Sequence, residues 1–372
     1  MRFPEFSGEW KMCTIGELTT KVGSGVTPRG GEAVYKTEGH PFVRSQNVGL
    51  GNLLLDDIAF IDEETHLRQK NTELQFNDVL LNITGASIGR SALVDKQIVG
   101  GNVNQHVCII RTKENLVPSF ICSFLLSNYG QRQIDSFQAG GNRQGLNFEQ
   151  IKSIKITIPS KDEQIKIAKL LRAIDERIAT QNKIIDKLQS LIKGLRVCCM
   201  QRNGSNNVYL SEIAQIYQPQ TISSAELTED GFLVYGANGI IGKYKDYNHK
   251  TEQICITCRG NTCGMVNYTK PMSWITGNAM VINTDKYQDK VYKKYLYHYL
   301  SAYNFNSIIS GSGQPQIVRT PLEKLKITLP TISEQKQKAI IFDKIQDKID
   351  INHKVLNLYI GQKQYLLRQM FI

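Results

Sequence analysis

Three cysteines in the second half of the chain are the first candidates for chemistry. Cys255 and Cys258 have the two-residue spacing of zinc ligands, and Cys263 follows shortly after them. However, the chain contains an internal repeat, and the shift that aligns Gly264 with Gly89 places these cysteines on the apolar residues Leu80, Ile83 and Ile88. The pattern therefore favours small hydrophobic thiols in a core strand over a metal site.

The segment Asn238–Lys243 (NGIIGK) has only part of a phosphate-binding loop. It lacks the first glycine at the required spacing, and Tyr244 stands where Ser or Thr should follow Lys243. The sequence also lacks a Gly-rich cofactor turn between a clear strand and helix, and it lacks an Asn/Asp-Pro-Pro-aromatic methyltransferase motif. Its six histidines are scattered. We find no credible catalytic constellation in this sequence.

Loops rich in Gly, Asn, Gln, Thr and Arg are the stronger functional candidates. They lie at 23–31, 44–47, 84–90, 100–105 and 140–144 in the first half, and at 235–239, 259–262 and 311–319 in the second. Arg can bind guanine through two hydrogen bonds, Asn and Gln can bind adenine, and Gly lets the main chain approach a phosphate. Each loop alone is equally typical of an ordinary turn, but recurrence in both halves favours DNA recognition.

These loops supply the candidate DNA-binding residues. In the first half they are Arg29, Arg44, Gln46, Asn47, Thr84, Arg90, Asn104, Gln105 and Arg143. In the second half they are Tyr235, Asn238, Lys243, Arg259, Asn261, Gln314 and Arg319.

Composition agrees with an anionic partner. The 372-residue chain has a formal net charge of +11 and a pI near 9.1, which favours nucleic acid, with a solvated basic surface as the alternative. The N-terminus has no apolar signal-peptide core, and no run approaches the ~18 apolar residues of a membrane span. We therefore expect a cytoplasmic protein whose eight cysteines are reduced.

The elements that position these loops are organised around two long helices. Ser160–Gln201 predicts one helix, and the same pattern recurs near the end of the chain as Thr331–Ile372. Both begin with a capping-box signature, Ser160-x-x-Glu163 and Thr331-x-x-Glu334. Steps of four and three define a heptad seam in each. The first seam is 167, 171, 174, 178, 181, 185, 188, 192, 195 and 199, and the second is 338, 342, 345, 349, 352, 356, 359, 363, 366 and 370.

A helix of about 40 residues is about 60 Å long, too long to bury one stripe against a small domain. We therefore expect the two helices to pack against each other, the alternative being that each packs on its own globular neighbour. Gln181 and Asn352 are the corresponding polar members of the seams. We expect them to meet and fix the helix register, the alternative being that both are hydrated at a loose point.

The repeat predicts the domain organisation and an α+β fold class. It comprises a first domain at 1–159, a helix at 160–202, a linker at 203–207, a second domain at 208–330 and a helix at 331–372. Strand-like runs include Ile98–Ile110 and Gln253–Thr257. Within the domains, Gly89 is expected to correspond to Gly264, and Gly101-Asn102 to Gly277-Asn278.

On these features the chain resembles the specificity subunit of a type I restriction–modification system. The resemblance rests on Trp10–Leu18, Phe42–Gly49 and Tyr235–Gly239. It rests most strongly on two strands, Ile-Thr-Ile-Pro at 156–159 and Ile-Thr-Leu-Pro at 327–330, each leading into Glu-Gln and a long helix.

The resemblance implies two target-recognition domains held apart by two antiparallel helices, each domain reading one half of a bipartite site in double-stranded DNA. It also implies two methyltransferase subunits that use S-adenosylmethionine to methylate adenine, and restriction subunits that use ATP and Mg²⁺. No cofactor and no catalytic step would belong to this chain. A stand-alone DNA methyltransferase or nuclease, and a coiled-coil scaffold without a DNA role, are the alternatives.

Overall fold

The computed structural model describes residues 2–138, 145–200, 206–237, 239–311 and 313–371. It divides into two compact units. Unit 1 comprises Met1–Asn182 and Lys354–Ile372, and unit 2 comprises Lys183–His353. Each unit therefore contains one globular domain and a part of both long helices.

The same order of strands occurs in both units. The strands of unit 1 are β1 (Lys11–Thr14), β2 (Thr19–Ser24), β3 (His40–Val43), β4 (Ala59–Ile61), β5 (Val79–Asn82), β6 (Ser91–Leu93), β7 (Asn102–Val103), β8 (Val107–Thr112) and β9 (Lys155–Ile158). Its short helices are α1 (Glu63–Arg68), α2 (Pro118–Leu125), α3 (Asn128–Ser136) and α4 (Phe148–Ser153).

The first long helix, α5 (Lys161–Met200), contributes residues to both units. The strands of unit 2 are β10 (Asn206–Tyr209), β11 (Gln215–Tyr217), β12 (Phe232–Gly236), β13 (Gly239–Tyr244), β14 (Ile254–Thr257), β15 (Val266–Tyr268), β16 (Trp274–Ile275), β17 (Ala279–Asn283) and β18 (Lys326–Leu329). Its helices are α6 (Lys293–Ala302), α7 (Arg319–Glu323) and the second long helix, α8 (Ile332–Met370).

Sheet topology confirms the internal repeat. Unit 1 has sheets of order β2-β8-β5-β6, β4-β3-β7 and β1-β9, and unit 2 has β11-β17-β14-β15, β13-β12-β16 and β10-β18. The central strands β5 and β14 are fully buried, because both faces of each are covered. The α+β fold class is thus built twice, once in each unit.

The registers of the sheets correct one predicted correspondence. Strand β7 runs parallel to β3 with Asn102 opposite Phe42, and β16 runs parallel to β12 with Trp274 opposite Val234. Asn102 therefore corresponds to Trp274, and the predicted match of Gly101-Asn102 to Gly277-Asn278 is wrong. The offset changes because eight residues (94–101) separate β6 from β7, whereas five (269–273) separate β15 from β16.

The correspondence of Gly89 and Gly264 is confirmed. Both have positive φ, 84° and 91°, a region that favours glycine. The amide of Gly89 donates to the Asn82 carbonyl at 3.0 Å, and the amide of Gly264 donates to the Thr257 carbonyl at 2.9 Å. Each bond closes the loop that follows the central strand of its unit.

The predicted strand run Ile98–Ile110 is interrupted in the structure. It contains a turn up to Gly100, whose φ is 78°, then β7, a second turn at Gln105–His106, and β8. The apolar pattern was correct, but a glycine in the left-handed region and a polar turn divide it.

The two long helices run antiparallel within each unit. In unit 1, Ile167, Leu171 and Ile174 of α5 share one core with Leu366 and Met370 of α8. Asp175 of α5 accepts from Lys363 of α8 at 2.6 Å. In unit 2, the later part of α5 packs on the earlier part of α8 through a cluster formed by Leu188, Ile192, Leu195, Phe342, Ile345 and Ile349.

Burial follows the predicted seams. Every seam position from 167 to 195 of α5 and from 338 to 370 of α8 is buried or half-buried. The helices also pack on the domains, since Ile167 and Ala339 belong to the cores of units 1 and 2. The expectation of helix-to-helix packing and its alternative are thus both realised.

The two helix starts differ. Thr331 and Glu334 form the full capping box, with the Thr331 amide donating to Glu334 Oε2 at 3.0 Å and the Glu334 amide donating to Thr331 Oγ1 at 3.3 Å. At α5 the Glu163 amide donates to Ser160 Oγ at 3.4 Å, but the Glu163 carboxylate accepts from two Arg2 nitrogens at 2.8 and 2.9 Å. An N-terminal arginine thus engages the first capping glutamate.

The described part of the first long helix lies within the predicted range. The structure has α5 at Lys161–Met200, where 160–202 was predicted. Residues 203–205 of the predicted linker lie outside the described residues, and Asn206 begins β10, which pairs with β18. None of the helices in the described ranges is long and apolar enough to cross a membrane.

A cluster of charged side chains around the buried His298 joins three helices of unit 2. His298 of α6, 1% exposed, contacts Asp343 of α8 at 2.9 Å and Arg196 of α5 at 2.8 Å. Lys294 of α6 donates to the same Asp343 carboxylate at 2.6 Å. Burial is the main cause that lowers the pKa of His298 to about 4, so the imidazole is neutral at pH 7.

Candidate nucleic-acid interface

Side-chain hydrogen bonds link the predicted recognition loops of unit 1. Thr84 Oγ1 lies 2.6 Å from Nδ1 of His106, which joins the 84–90 loop to the turn before β8. Gln105 Oε1 in that turn accepts from the Thr27 amide at 2.9 Å, which adds the 23–31 loop. A bridge between Thr84 and Gly145 adds the chain that follows the 140–144 loop. Loops distant in sequence therefore form one continuous surface.

Asn82, the last residue of β5, holds two of these loops together. It is fully buried, and its Nδ2 donates to the Ser45 carbonyl at 2.8 Å and to Ser87 Oγ at 3.1 Å. Ser45 belongs to the 44–47 loop and Ser87 to the 84–90 loop. Asn82 was not among the predicted site residues.

Unit 2 assembles the equivalent loops. Thr257 Oγ1 donates to the Ala237 carbonyl at 2.5 Å, and Thr262 Oγ1 donates to the same carbonyl at 3.1 Å. These bonds join the 235–239 and 259–262 loops. The Gly260 amide donates to the Pro315 carbonyl at 3.0 Å, which adds the 311–319 loop.

Asn82 and Thr257 occupy the same place in the two units. Each ends the central strand, each is fully buried, and each donates to a carbonyl of the loop after the parallel-paired strand. We call these two residues the loop clamp. The shift that relates Gly89 to Gly264 also relates Asn82 to Thr257. The internal repeat could therefore have indicated this pair, but the two residues are of different types.

Many of the predicted residues lie on the surface. Exposed members are Arg29, Gln46, Arg90 and Gln105 in unit 1, and Arg259, Asn261, Gln314 and Arg319 in unit 2. Arg44, Thr84 and Lys243 are half-buried. The structure thus brings polar groups with base-reading chemistry onto the loop-bearing part of each unit.

Several of these groups already have partners. Arg44, with 16% of its side chain exposed, donates to the Asp57 carbonyl at 2.6 Å and lies over the Tyr35 ring. Gln46 Nε2 also donates to the Asp57 carboxylate. In unit 2, Lys243 lies 3.3 Å from Asp230, and Arg319 donates to Glu323 at 2.7 Å. Arg44 is therefore tied into its domain more firmly than the exposed Arg90 and Arg259.

Three predicted residues are buried. Asn47 is fully buried, with Nδ2 donating to the Leu54 carbonyl and to Asp57, and Oδ1 accepting from the Arg44 amide. Tyr235 is 5% exposed, and its hydroxyl accepts from the Lys270 amide at 3.1 Å. Asn104 is also buried. This burial does not fit direct contact with DNA, because the polar groups of Asn47 and Tyr235 bond within their own domains. The predicted role of these three residues in DNA binding stays a prediction.

Four remaining predictions stay as they were. Arg143 and Asn238 lie outside the described residues. Gln181 is buried, and Asn352 is half-buried with its amide donating to the Lys348 carbonyl at 2.6 Å. Their proposed meeting and their role in helix register remain predictions.

Two of the three candidate cysteines of the second half are core residues, and Cys263 is half-buried against the core of unit 2. Cys255 and Cys258 are buried in different hydrophobic clusters of unit 2, and burial raises the pKa of Cys255 to about 12. The thiols are therefore protonated at neutral pH. Within the described part of the chain, no three His, Cys, Asp or Glu residues are grouped to hold a metal ion.

Comparison with known proteins gives consistent matches. The sequence profile of the type I restriction modification DNA specificity domain matches residues 7–190 and again residues 203–358. The chain is 24% identical to the type I restriction enzyme MjaVIII specificity subunit of Methanocaldococcus jannaschii, over 95% of this chain and 89% of that subunit. It is 31% identical to the EcoprrI specificity subunit of Escherichia coli over a shorter match, 36% of this chain and 34% of that subunit.

Solved structures share the fold. The S subunit of a type I restriction–modification system from M. genitalium superposes with a TM-score of 0.68 at 17% identity, covering all of this chain and 97% of that one. A second chain, from a structure describing complex assembly and conformational transition of the type I system, has a TM-score of 0.59 at 15% identity over 98% of this chain and 97% of that one. At these identities the likeness concerns the fold.

Proposed function

Because the chain belongs to the type I restriction–modification DNA specificity family, we propose that it reads a bipartite site in double-stranded DNA, one half-site per unit. Members of this family are the non-catalytic specificity subunits of such systems, and this chain is one of them. Its task is therefore recognition, and other subunits carry out the chemistry.

The duplicated loop surface is the observation that supports this proposal most. Both units clamp the same loops with a buried side chain at the end of the central strand. The side chains at equivalent positions of those loops differ. The shift that relates Gly89 to Gly264 places Met265 where unit 1 has Arg90, and Arg259 where unit 1 has Thr84. A shared scaffold with different exposed groups suits the recognition of two different short sequences.

The partners follow from the same assignment. We propose that two methyltransferase subunits bind this chain and methylate adenine with S-adenosylmethionine, and that restriction subunits using ATP and Mg²⁺ join them. One solved chain with a similar fold comes from a structure of complex assembly in the type I system. This similarity supports the proposal that the present chain also binds partner subunits. Since the family acts on DNA, we also propose a cytoplasmic location.

Reconstitution tests the proposal. The purified chain, incubated with S-adenosylmethionine and DNA, should transfer no methyl group, whereas addition of methyltransferase subunits should produce adenine methylation at one bipartite motif. Methyl transfer by the pure chain would contradict the assignment. Methylation at a continuous, undivided motif would contradict the proposal that each unit reads one half-site.

A further inference from the structure

Two glutamines of the sequence motif that begins each long helix have no role in the surface described above. Gln164 and Gln335 are the fourth residues of α5 and α8, and they are equivalent positions of the internal repeat. Their exposed fractions are 1% and 0%. Burial of an uncharged amide is unfavourable unless its groups are hydrogen-bonded, so the partners of these side chains are informative.

In unit 1, Gln164 bonds to three main-chain groups. Its Oε1 accepts from the Val117 amide at 2.9 Å, and its Nε2 donates to the carbonyls of Asn115 and Pro159, both at 3.1 Å. Val117 precedes α2, which packs in the domain core, and Pro159 follows β9. One side chain thus joins the helix start to the strand before it and to the entry of a core helix.

In unit 2, Gln335 makes the same three bonds. Its Oε1 accepts from the Tyr292 amide at 2.8 Å, and its Nε2 donates to the carbonyls of Lys290 at 3.1 Å and Pro330 at 2.9 Å. Tyr292 precedes α6, and Pro330 follows β18. The same arrangement therefore occurs in both domains, although most of the residues around it differ in type.

A side-chain amide that makes all three hydrogen bonds has a fixed orientation as well as a fixed position, because its oxygen and its two N–H groups lie in one plane. An apolar side chain of similar size could fill the same volume without such directionality. The presence of glutamine at both equivalent sites favours a requirement for a fixed orientation of each long helix relative to its domain.

We propose that Gln164 and Gln335 are positioning residues that fix the angle between each recognition domain and its long helix, and thereby the spacer length that the subunit accepts. The inference rests on the proposed function. A helix of about 40 residues is about 60 Å long, so a tilt of about 3° at its start displaces its far end by about 3 Å. That displacement is close to the rise of one base pair, about 3.4 Å.

The test uses the full chain in complex with its methyltransferase subunits. DNA duplexes carry the two half-sites with the spacer shortened or lengthened one base pair at a time, and methylation rates are compared. The wild type should prefer one spacer length. Gln164→Met and Gln335→Met should each raise the relative rate on spacers one base pair shorter or longer by about tenfold. Base preference within each half-site should be retained.

A matched control separates positioning from packing. Gln337, exposed and two residues further along α8, is changed to Met and should keep the wild-type spacer preference. Gln164→Glu and Gln335→Glu provide second variants, since an oxygen still accepts from Val117 or Tyr292 while both donated bonds are lost. If one Met variant fails to fold, the Met variant at the other site decides the question, because Gln164 and Gln335 lie in separate units.

The outcomes are distinct. Relaxed spacing with intact half-site preference supports the positioning role. Uniformly lower stability and activity with an unchanged spacing preference, in the Met or the Glu variants, overturns it. If the wild-type complex itself shows no bipartite preference, the proposed function fails instead, and this result is seen before any variant is compared.

Discussion

At the scale of single residues, the polar side chains of the loops are of two kinds: some are exposed to solvent, and others are buried and hydrogen-bond the loops together. The sequence correctly predicted which loops carry the polar residues, because their Gly, Asn and Arg content is typical of turns with exposed donors. It could not predict that Asn47 and Tyr235 turn inward. That direction is set by partners far away in the sequence or across a turn, such as the Lys270 amide and Asp57.

Removal of the loop clamp should relax recognition in one half-site only. In Asn82→Ala, the Ser45 carbonyl and the Ser87 hydroxyl lose the amide group that donates to both of them. In Thr257→Val, the Ala237 carbonyl loses one of its two hydroxyl donors and keeps Thr262. A lost buried bond costs about 1–3 kcal/mol, enough to loosen a loop without unfolding a domain.

Selection of methylated sites from a random duplex library measures this effect. Asn82→Ala should broaden the preference of the first half-site, and Thr257→Val that of the second. Asn71→Ala, at an exposed position of unit 1, is the control and should leave both unchanged. A loss of preference in the opposite half-site would contradict the assignment of units to half-sites.

Exposed arginines offer a second test at this scale. Arg90→Ala and Arg259→Ala should each reduce discrimination in their own half-site by about 1–3 kcal/mol if they read bases. If they contact phosphates, they should instead weaken specific and non-specific binding alike and lower the salt slope by about one. Binding isotherms at several salt concentrations distinguish the two roles. Arg68→Ala, an exposed arginine paired with Glu64, should change neither.

At the scale of elements, the long helices were the most predictable part of the chain. Their seams are heptad patterns, and burial agrees with those patterns from 167 to 195 and from 338 to 370. The run Ile98–Ile110 was less predictable, because the positive φ of Gly100 and the turn at Gln105 divide it. Apolar periodicity alone does not show where a backbone reverses.

Helix length should set the spacing of the half-sites. Insertion of four helical residues after Lys193, an exposed position of α5, adds about 6 Å of rise, or roughly two base pairs if fully transmitted. The methylated motif of this variant should acquire a longer spacer with unchanged half-sites. The same insertion after Glu38, in an exposed turn of unit 1, should keep the original spacer. An unchanged spacer in the Lys193 variant would count against this role.

The buried cluster around His298 predicts a pH dependence of unit 2. The pKa of His298 is about 4 in the folded chain, below its ordinary value of 6.5, mainly because of burial. Since the unfolded chain takes up the proton first, the free energy of unfolding should fall as pH decreases from about 6.5 to about 4. The contribution is fully present above about pH 6.5 and amounts to at most about 3 kcal/mol.

Denaturant unfolding at about pH 7 and about pH 4.5 measures this contribution. His298→Gln keeps a donor for Asp343 and an acceptor for Arg196 but does not titrate, so its unfolding free energy should fall less between the two pH values. Lys294 and Asp343 are present in both proteins, and their effects cancel in the comparison. Equal pH dependence of the two proteins would show that His298 does not titrate as described.

At the scale of the whole molecule, the net charge and the duplicated loop surfaces have different proposed roles in DNA binding. The net charge of +11 favours non-specific association with DNA, which weakens as the salt concentration rises because the release of counterions then becomes less favourable. In the proposed function, the two loop surfaces then supply the sequence preference. A scaffold without a DNA role would show no salt-dependent binding, so a linear fall of log affinity with log salt separates that alternative from the present account.

The central claim is that this chain determines a bipartite methylation motif with one half-site per unit. Methylome sequencing of cells with the gene intact, deleted, or carrying Thr257→Val tests it most directly. We predict one divided adenine motif in the intact strain, its loss on deletion, and a motif degenerate in only one half in the Thr257→Val strain. A motif that survives deletion, or that degenerates equally in both halves, would contradict the claim.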